Sequence, residues 1–315
     1  METGFVNEKN INPAGTWSLG LLQMDFFYRQ KPWYAGQFVR KVIPQIEIEG
    51  KSILYFTTLL NKLKQRLLSV LVRDVDTTFL ETTIDLPVLD NGEIDFNIIE
   101  SFISGITANY IGTLKTYLVA SGLNNYILTE EEQKALNSIK NLRYEEFRVI
   151  DLFEVKNSGN ILSRDIVENS GDVPYLCAST ENNSVSSYIF YDEEYLDEGN
   201  CIFIGGKTFV VTYQENDFYS NDSHNLILYL KDAEKRNKHI QLFITTCIIK
   251  SLGNKYYWGD SISNKKIQKD TIWLPAKQHK PDYETMEVLA SAIQKLVIKS
   301  VVLYVNKRIE QFVLD

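Results

Sequence analysis

The feature that most constrains this chain is that part of it occurs twice. Leu242-Phe243-Ile244-Thr245-Thr246 repeats the aromatic and Thr-Thr pattern of Tyr55-Phe56-Thr57-Thr58, and Thr271-Ile272-Trp273-Leu274-Pro275 repeats Thr83-Ile84-Asp85-Leu86-Pro87. Ile94-Asp95-Phe96 with Ile99-Glu100 returns as Pro281-Asp282-Tyr283 with Met286-Glu287. These pairs lie about 188 residues apart, in the same order, and a repeat of that kind fixes architecture before any single motif can. Upstream, Asp25-Phe26-Phe27-Tyr28 aligns with Asn216-Asp217-Phe218-Tyr219 at a slightly longer offset. On that alignment the first copy starts at the equivalent of roughly residue 190 and holds only the rear half of the unit. About 44 residues of a full copy are then missing, with the equivalents of Pro174-Tyr175 and Asn182-Asn183. Duplication of a purely structural unit would leave the same trace, so the repeat speaks first of architecture.

Each copy ends in a long helix. Asp95 and Asp282 sit where a carboxylate can accept from the free amides of a first turn. Behind them Ile98, Phe102, Ile106, Ile111, Leu114 and Leu118, and then Met286, Leu289, Ile293, Leu296, Val297, Tyr304 and Ile309, recur near helical spacing. Helices of about 40 and 45 Å outlast a small domain and must bury their stripes on each other or on a partner. The expected layout is a partial first domain over 1–94, a central helix over 95–122, a connector over 123–143, a complete domain over 144–281 and a C-terminal helix over 282–315. The two helices are expected to pair antiparallel as a coiled coil.

The complete domain reads as β-rich. Val173-Pro174-Tyr175-Leu176 opens a strand that breaks at Ser179-Thr180-Glu181-Asn182-Asn183-Ser184, and residues 201–213 read as two strands joined at Gly205-Gly206. Gly205-Gly206-Lys207-Thr208 has the ending of a phosphate loop. That motif needs a glycine where Cys201 stands and a helix where Phe209-Val210-Val211-Thr212-Tyr213 follows, so a tight hairpin is the better reading. His224, His239 and His279 are unclustered, and Glu154-Val155-Lys156 lacks the upstream Pro-Asp step of a nuclease. No catalytic, cofactor-binding or metal-ligating set emerges.

Composition narrows the class. A hydrophobic share of 44% with 12% aromatics excludes a disordered chain. Cys177, Cys201 and Cys247 are odd in number and dispersed, which argues against disulfides or a cysteine zinc site. With no run of 18 apolar residues and no signal-peptide pattern, the expectation is a cytoplasmic protein without a membrane partner. The formal net charge of -8 speaks against nucleic acid at first sight. Resolved along the chain it does not: residues 231–269 carry nine Lys or Arg against three acids, and the equivalent 29–73 carry nine against two. Both stretches hold aromatics, Trp33, Tyr34 and Phe38 in one and Tyr256, Tyr257 and Trp258 in the other, a mixture suited to phosphates and bases.

Several of these segments together resemble the target recognition domain of specificity (S) subunits of type I restriction-modification systems. They are Gly171-Asp172-Val173-Pro174-Tyr175-Leu176, Asn182-Asn183, Gly199-Asn200-Cys201-Ile202-Phe203-Ile204-Gly205-Gly206, Tyr213-Gln214, Asp217-Phe218-Tyr219 and Lys255-Tyr256-Tyr257-Trp258-Gly259-Asp260. Ile272-Trp273-Leu274-Pro275 with Pro281-Asp282-Tyr283-Glu284-Thr285-Met286-Glu287 is similar to that family's lead-in to a spacer helix. The resemblance implies an α+β fold in which β-rich target recognition domains are held apart by two long antiparallel coiled-coil helices. It implies a non-catalytic subunit that reads a split double-stranded DNA target, with the helices setting the distance between the halves, on the order of twelve base pairs for 40 Å. Implied partners are methyltransferase (M) subunits and a restriction (R) subunit. S-adenosylmethionine, ATP and Mg would belong to those partners, and this chain would bind no cofactor. Expected DNA contacts, from polar or basic loops between strands, are Asn182, Asn183, Lys207, Thr208, Gln214, His224, Lys255, Tyr256 and Trp258. The alternative is a truncated S-subunit fragment acting as an interaction protein that does not read DNA.

Overall fold

The computed structural model describes residues 8–314. They divide by compactness into two units, one built from residues up to 120 with those from 304 on, the other from residues 121–303. The first holds strands Thr16–Gly20 (β1), Asp25–Arg29 (β2) and Val39–Val42 (β3), an antiparallel sheet in the order β2-β1-β3. Helix Ser52–Lys62 (α1) packs on β2, so that Phe56 joins Trp17, Leu19, Phe26 and Leu67 in one core. Polar ties set the helix in register: the Trp17 indole donates to Thr57 Oγ1 at 2.8 Å. Asn61 accepts from the Phe26 amide at 2.9 Å and donates to the Phe26 carbonyl at 3.0 Å, satisfying an edge strand as a neighbouring strand would. Helix Phe96–Ala120 (α2) follows; at 25 residues it is about 37 Å long.

In chain order the second unit carries helix Glu130–Ser138 (α3), then strands Tyr144–Arg148 (β4), Phe153–Asn157 (β5), Val173–Leu176 (β6) and Val185–Ile189 (β7). Next come Cys201–Ile204 (β8), Val211–Gln214 (β9), Tyr219–Ser220 (β10) and Leu226–Leu230 (β11). Helix Lys238–Leu252 (α4), strand Thr271–Lys277 (β12) and most of helix Tyr283–Leu314 (α5) complete it. The main sheet has the order β9-β8-β11-β5, and a smaller one runs β10-β6-β7. Every residue of β8 and β11 is buried because each face meets a different core. Ile202, Ile204, Leu226, Leu228 and Leu230 pack with Ile240, Ile244 and Ile248 of α4. Cys201, Phe203, Ile227 and Tyr229, pointing the other way, pack with Leu176 and Phe218.

The repeat is structural as well as sequential, with one correction to its alignment. In each unit a central strand pairs with a hairpin neighbour and with a later strand, β1 with β2 and β3, β8 with β9 and β11. The two hairpins turn identically: the Met24 amide donates to Gly20 O at 2.7 Å and the Phe209 amide to Gly205 O at 2.9 Å. Met24 and Phe209 both adopt left-handed φ, 53° and 52°. Asp25-Phe26-Phe27-Tyr28 therefore corresponds to β9 with its approach, not to Asn216-Asp217-Phe218-Tyr219. The hydrophobic pattern alone allowed a slip that the pairing forbids.

Further along the repeat holds in detail. The Asp95 amide donates to Pro87 O at 2.9 Å and the Asp282 amide to Pro275 O at 2.8 Å. Asp95 Oδ1 then accepts from the Ile98 amide and Asp282 Oδ1 from the Thr285 amide, capping α2 and α5 as their positions predict. One stretch diverges. Thr271–Pro275 forms a strand by pairing with β4, whereas Thr83–Pro87 is not a strand, and among the described residues β4 has no counterpart for it to pair with. Only the bridge Val88↔Ile94 survives, matching Ala276↔Pro281.

Helix α5 has 32 residues, and its part over Tyr283–Phe312 is long and apolar enough to cross a membrane by length and hydropathy. One face of it is buried by its own chain, at Met286, Leu289 and Ala292, while Ile293, Leu296 and Val297 are exposed. Lys295 reaches back 2.9 Å to the buried Glu132 of α3. Near the other end of the helix, Lys115 of α2 donates to Asn306 Oδ1 at 2.8 Å.

Candidate nucleic-acid interface

The turn between β8 and β9 brings most of the sequence-predicted residues to one neighbourhood. Gly206 lies against the chain at His224, where no side chain fits: a Cβ there would sit 2.2 Å from the His224 carbonyl oxygen. Its amide donates to Asn225 Oδ1 at 3.0 Å. With the two segments locked, Lys207 and His224 emerge side by side on Asp222, Lys207 Nζ 2.9 Å from Oδ2 and His224 Nδ1 2.7 Å from Oδ1. A carboxylate only accepts, so this contact requires the proton to be on Nδ1. Burial alone would raise the Asp222 carboxyl, but the His224 amide, the Lys207 ammonium and the imidazole outweigh it and hold it at about 2. The arrangement presents a lysine and an imidazole together on an exposed rim, suited to phosphate oxygens.

Thr208 faces the opposite way, its hydroxyl donating to Ala178 O at 3.1 Å. This ties the turn to the loop that carries Asn182 and Asn183. Both asparagines are exposed, and both side-chain amides are engaged within the protein, Asn182 donating to Val185 O and Asn183 to Tyr213 O, each at 3.0 Å. Gln214 is placed differently from its expected role. It is 4% exposed and spends its amide on Asn183 O and Thr212 Oγ1, at 3.0 and 2.8 Å. Both faces of this sheet are covered, and the Asn183 loop closes over Gln214 on its side.

The third group follows α4. Lys255, Tyr257 and Trp258 are exposed, the two rings at 62% and 75%. Tyr256 departs from its predicted contact role: it is 2% exposed, packs against Phe209 with ring centroids 5.5 Å apart, and donates to Asp270 Oδ2 at 2.5 Å. Burial, then the Asp270 carboxylate, push its phenol above the ordinary range. Lys255 also ends on buried Asp270, so part of its charge is answered inside the protein. Lys266 braces the same ring from 5.9 Å and pairs with Asp260 at 2.5 Å. Asp222 and Asp270 were not singled out by sequence reasoning, and Phe209 was read only as part of a strand. For Asp222 a signal existed, since an Asx two residues before His224 favours a side-chain turn to that amide, which is observed at 2.9 Å.

The first unit presents a different surface at the corresponding hairpin. The Arg29 guanidinium lies 5.6 Å from the Phe27 ring and 5.5 Å from Trp33, with Phe27 and Tyr34 exposed. Among the described residues, no group of three or more His, Cys, Asp or Glu is placed to hold a metal ion.

The chain is thus a mixed fold with two copies of a hairpin-and-helix unit, each followed by a long capped helix. The family model for the type I restriction modification DNA specificity domain matches residues 2–116 and 141–302. The chain belongs to that family, and its role is DNA sequence specificity in restriction-modification. It is 23% identical over 282 residues to the specificity subunit S.BcgI of a type II restriction enzyme from Heyndrickxia coagulans, covering 86% of this chain and 75% of that one. The crystal structure of a type I restriction-modification S subunit from M. genitalium has the same fold, with a TM-score of 0.53 at 12% identity, over 99% of this chain and 84% of that one.

Proposed function

We propose that the second unit reads one half of a split double-stranded target, with Lys207 and His224 on phosphates, Asn182 and Thr208 toward base edges, and Tyr257 and Trp258 packing against the nucleic acid. The first unit reads the other half through Arg29 and its flanking aromatics. The two long helices run antiparallel, set the spacing, and dock methyltransferase subunits. Chemistry belongs to the partners: adenine methylation with S-adenosylmethionine, and ATP- and Mg-dependent cleavage by a restriction subunit. The S.BcgI relative serves a type II enzyme, so a separate restriction subunit rests on the likeness to type I specificity subunits alone.

The observation that carries this reading is the convergence on Asp222 of exposed Lys207, from the turn fixed by Gly206, and exposed His224, from the segment that Gly206 packs against. Basic side chains release counterions from DNA, so binding by the complex with methyltransferase subunits should fall steeply between about 50 and 200 mM salt. Lys207→Ala should weaken binding to all sequences alike and reduce the slope of log affinity against log salt by about 1. Fluorescence anisotropy on a cognate and a scrambled duplex checks this. An unchanged slope removes Lys207 from the interface.

A further inference from the structure

The segment between β6 and β7 is held in a conformation its residues do not favour. Asn182, Asn183 and Ser184 have φ of 46°, 52° and 68°, three successive left-handed residues without a glycine. Asparagine tolerates that region, but serine gains nothing from it, and such runs persist only where the surroundings over-determine them. Here they do. Ser184 Oγ donates to Ser179 O at 3.0 Å, the Cys177 amide to Ser184 O at 2.9 Å, and Asn182 Nδ2 to Val185 O at 3.0 Å.

Two ties come from outside the loop: Asn183 Nδ2 donates to Tyr213 O, and Gln214 Nε2 donates to Asn183 O, each at 3.0 Å. Gln214 is buried and its amide is in turn oriented by Thr212 Oγ1 at 2.8 Å. The loop so held forms one wall of a polar cavity of about 660 Å³, whose other lining includes Asp172, Pro174, Tyr188 and Glu215.

We infer that Gln214 and Asn183 are positioning residues that clamp a left-handed loop onto β9, so that the exposed Asn182 is presented to the base edges of the half-site in a single geometry. The inference rests on the reading that the second unit contacts DNA. Gln214 and Asn183 then set selectivity without touching a base, because a loop free to relax would offer its amide donors and acceptors in several geometries and lose discrimination.

The test uses the full chain in complex with methyltransferase subunits. Binding is measured to the cognate duplex and to duplexes with single base-pair changes in each half-site, for wild type, Gln214→Leu, Asn183→Gly and Asn182→Ala. Gln214→Leu should reduce discrimination about tenfold or more at positions in one half-site only, leaving the other half-site and the salt slope unchanged. Asn182→Ala should lose discrimination at the same positions. Asn183→Gly tolerates the left-handed φ while removing the tie to Tyr213, and should give a smaller loss there; it also serves if Gln214→Leu does not fold. Unchanged discrimination in both clamp variants, or equal loss in both half-sites, overturns the inference while leaving DNA reading intact. A wild-type complex that does not discriminate at all overturns the DNA reading itself, and the inference with it.

Discussion

Glu132→Ala should lower the unfolding free energy of the second unit by about 3–4 kcal/mol, one of the two largest losses expected of a single substitution here. Glu132 is 5% exposed and serves two structures at once. As the third residue of the α3 capping box it accepts from the Thr129 amide at 2.7 Å. It also accepts from Ser291 Oγ at 2.7 Å and Lys295 Nζ at 2.9 Å of α5. Burial alone would raise its carboxyl; the bonds from Lys295, Thr129 and Ser291, with the Lys295 charge, reverse that and bring it to about 2. The folded value lies below the ordinary 4.5. The stabilisation is therefore present above about pH 4.5 and is lost as pH falls toward 2, by an amount on the order of 3 kcal/mol. Alanine removes the carboxylate but leaves Lys295 nearly buried and unpaired, which is why the loss matches that of a broken buried ion pair rather than a surface one. The double variant Glu132→Leu with Lys295→Met should recover much of it. Urea unfolding of all three forms between pH 3 and 7 checks both statements; a Glu132→Ala loss under 1 kcal/mol would contradict them.

Gly206→Ala should be equally severe and for a different reason. The new methyl would stand 2.2 Å from the His224 carbonyl oxygen and 2.7 Å from its carbon, both backbone atoms with no rotamer to yield. Relief requires the β8–β9 turn and the strand approach at His224 to separate, breaking the Gly206 to Asn225 hydrogen bond and the alignment of Lys207 with His224 on Asp222. We expect a stability loss of about 3 kcal/mol, with specific DNA binding by the complex lost at temperatures where the chain is still folded. Gly36→Ala, where a Cβ meets nothing within 4 Å, is the control and should stay within about 0.5 kcal/mol of wild type. Equal melting of the two variants would contradict the close approach.

Local features were legible in the sequence because their causes are local. The caps at Asp95 and Asp282, the helices behind them and the β8–β9 hairpin follow from residue type and spacing, and the structure repeats them in both units. The alignment of Tyr28 was not legible, since the turn that fixes it depends on left-handed Met24 and Phe209, and neither residue type announces that conformation. The same limit applies to the site. Lys255, Tyr256, Tyr257 and Trp258 read as one basic-aromatic loop, yet a buried carboxylate at Asp270 draws Tyr256 inward and leaves Tyr257 and Trp258 out. Gln214 read as a contact because glutamine is polar, whereas the Asn183 carbonyl of the loop above it claims its amide for the interior. Long-range partners of this kind are set by tertiary packing, which no window along the chain contains.

DNA reading by this chain is tested by the methylome of the host with and without its gene. The proposed reading by both units predicts a methylated motif in two short specified halves separated by a fixed unspecified gap, present with the gene and absent without it. Gln214→Leu should blur one half only. A methylome that does not change when the gene is removed, in a host expressing the methyltransferase subunits, would contradict the account.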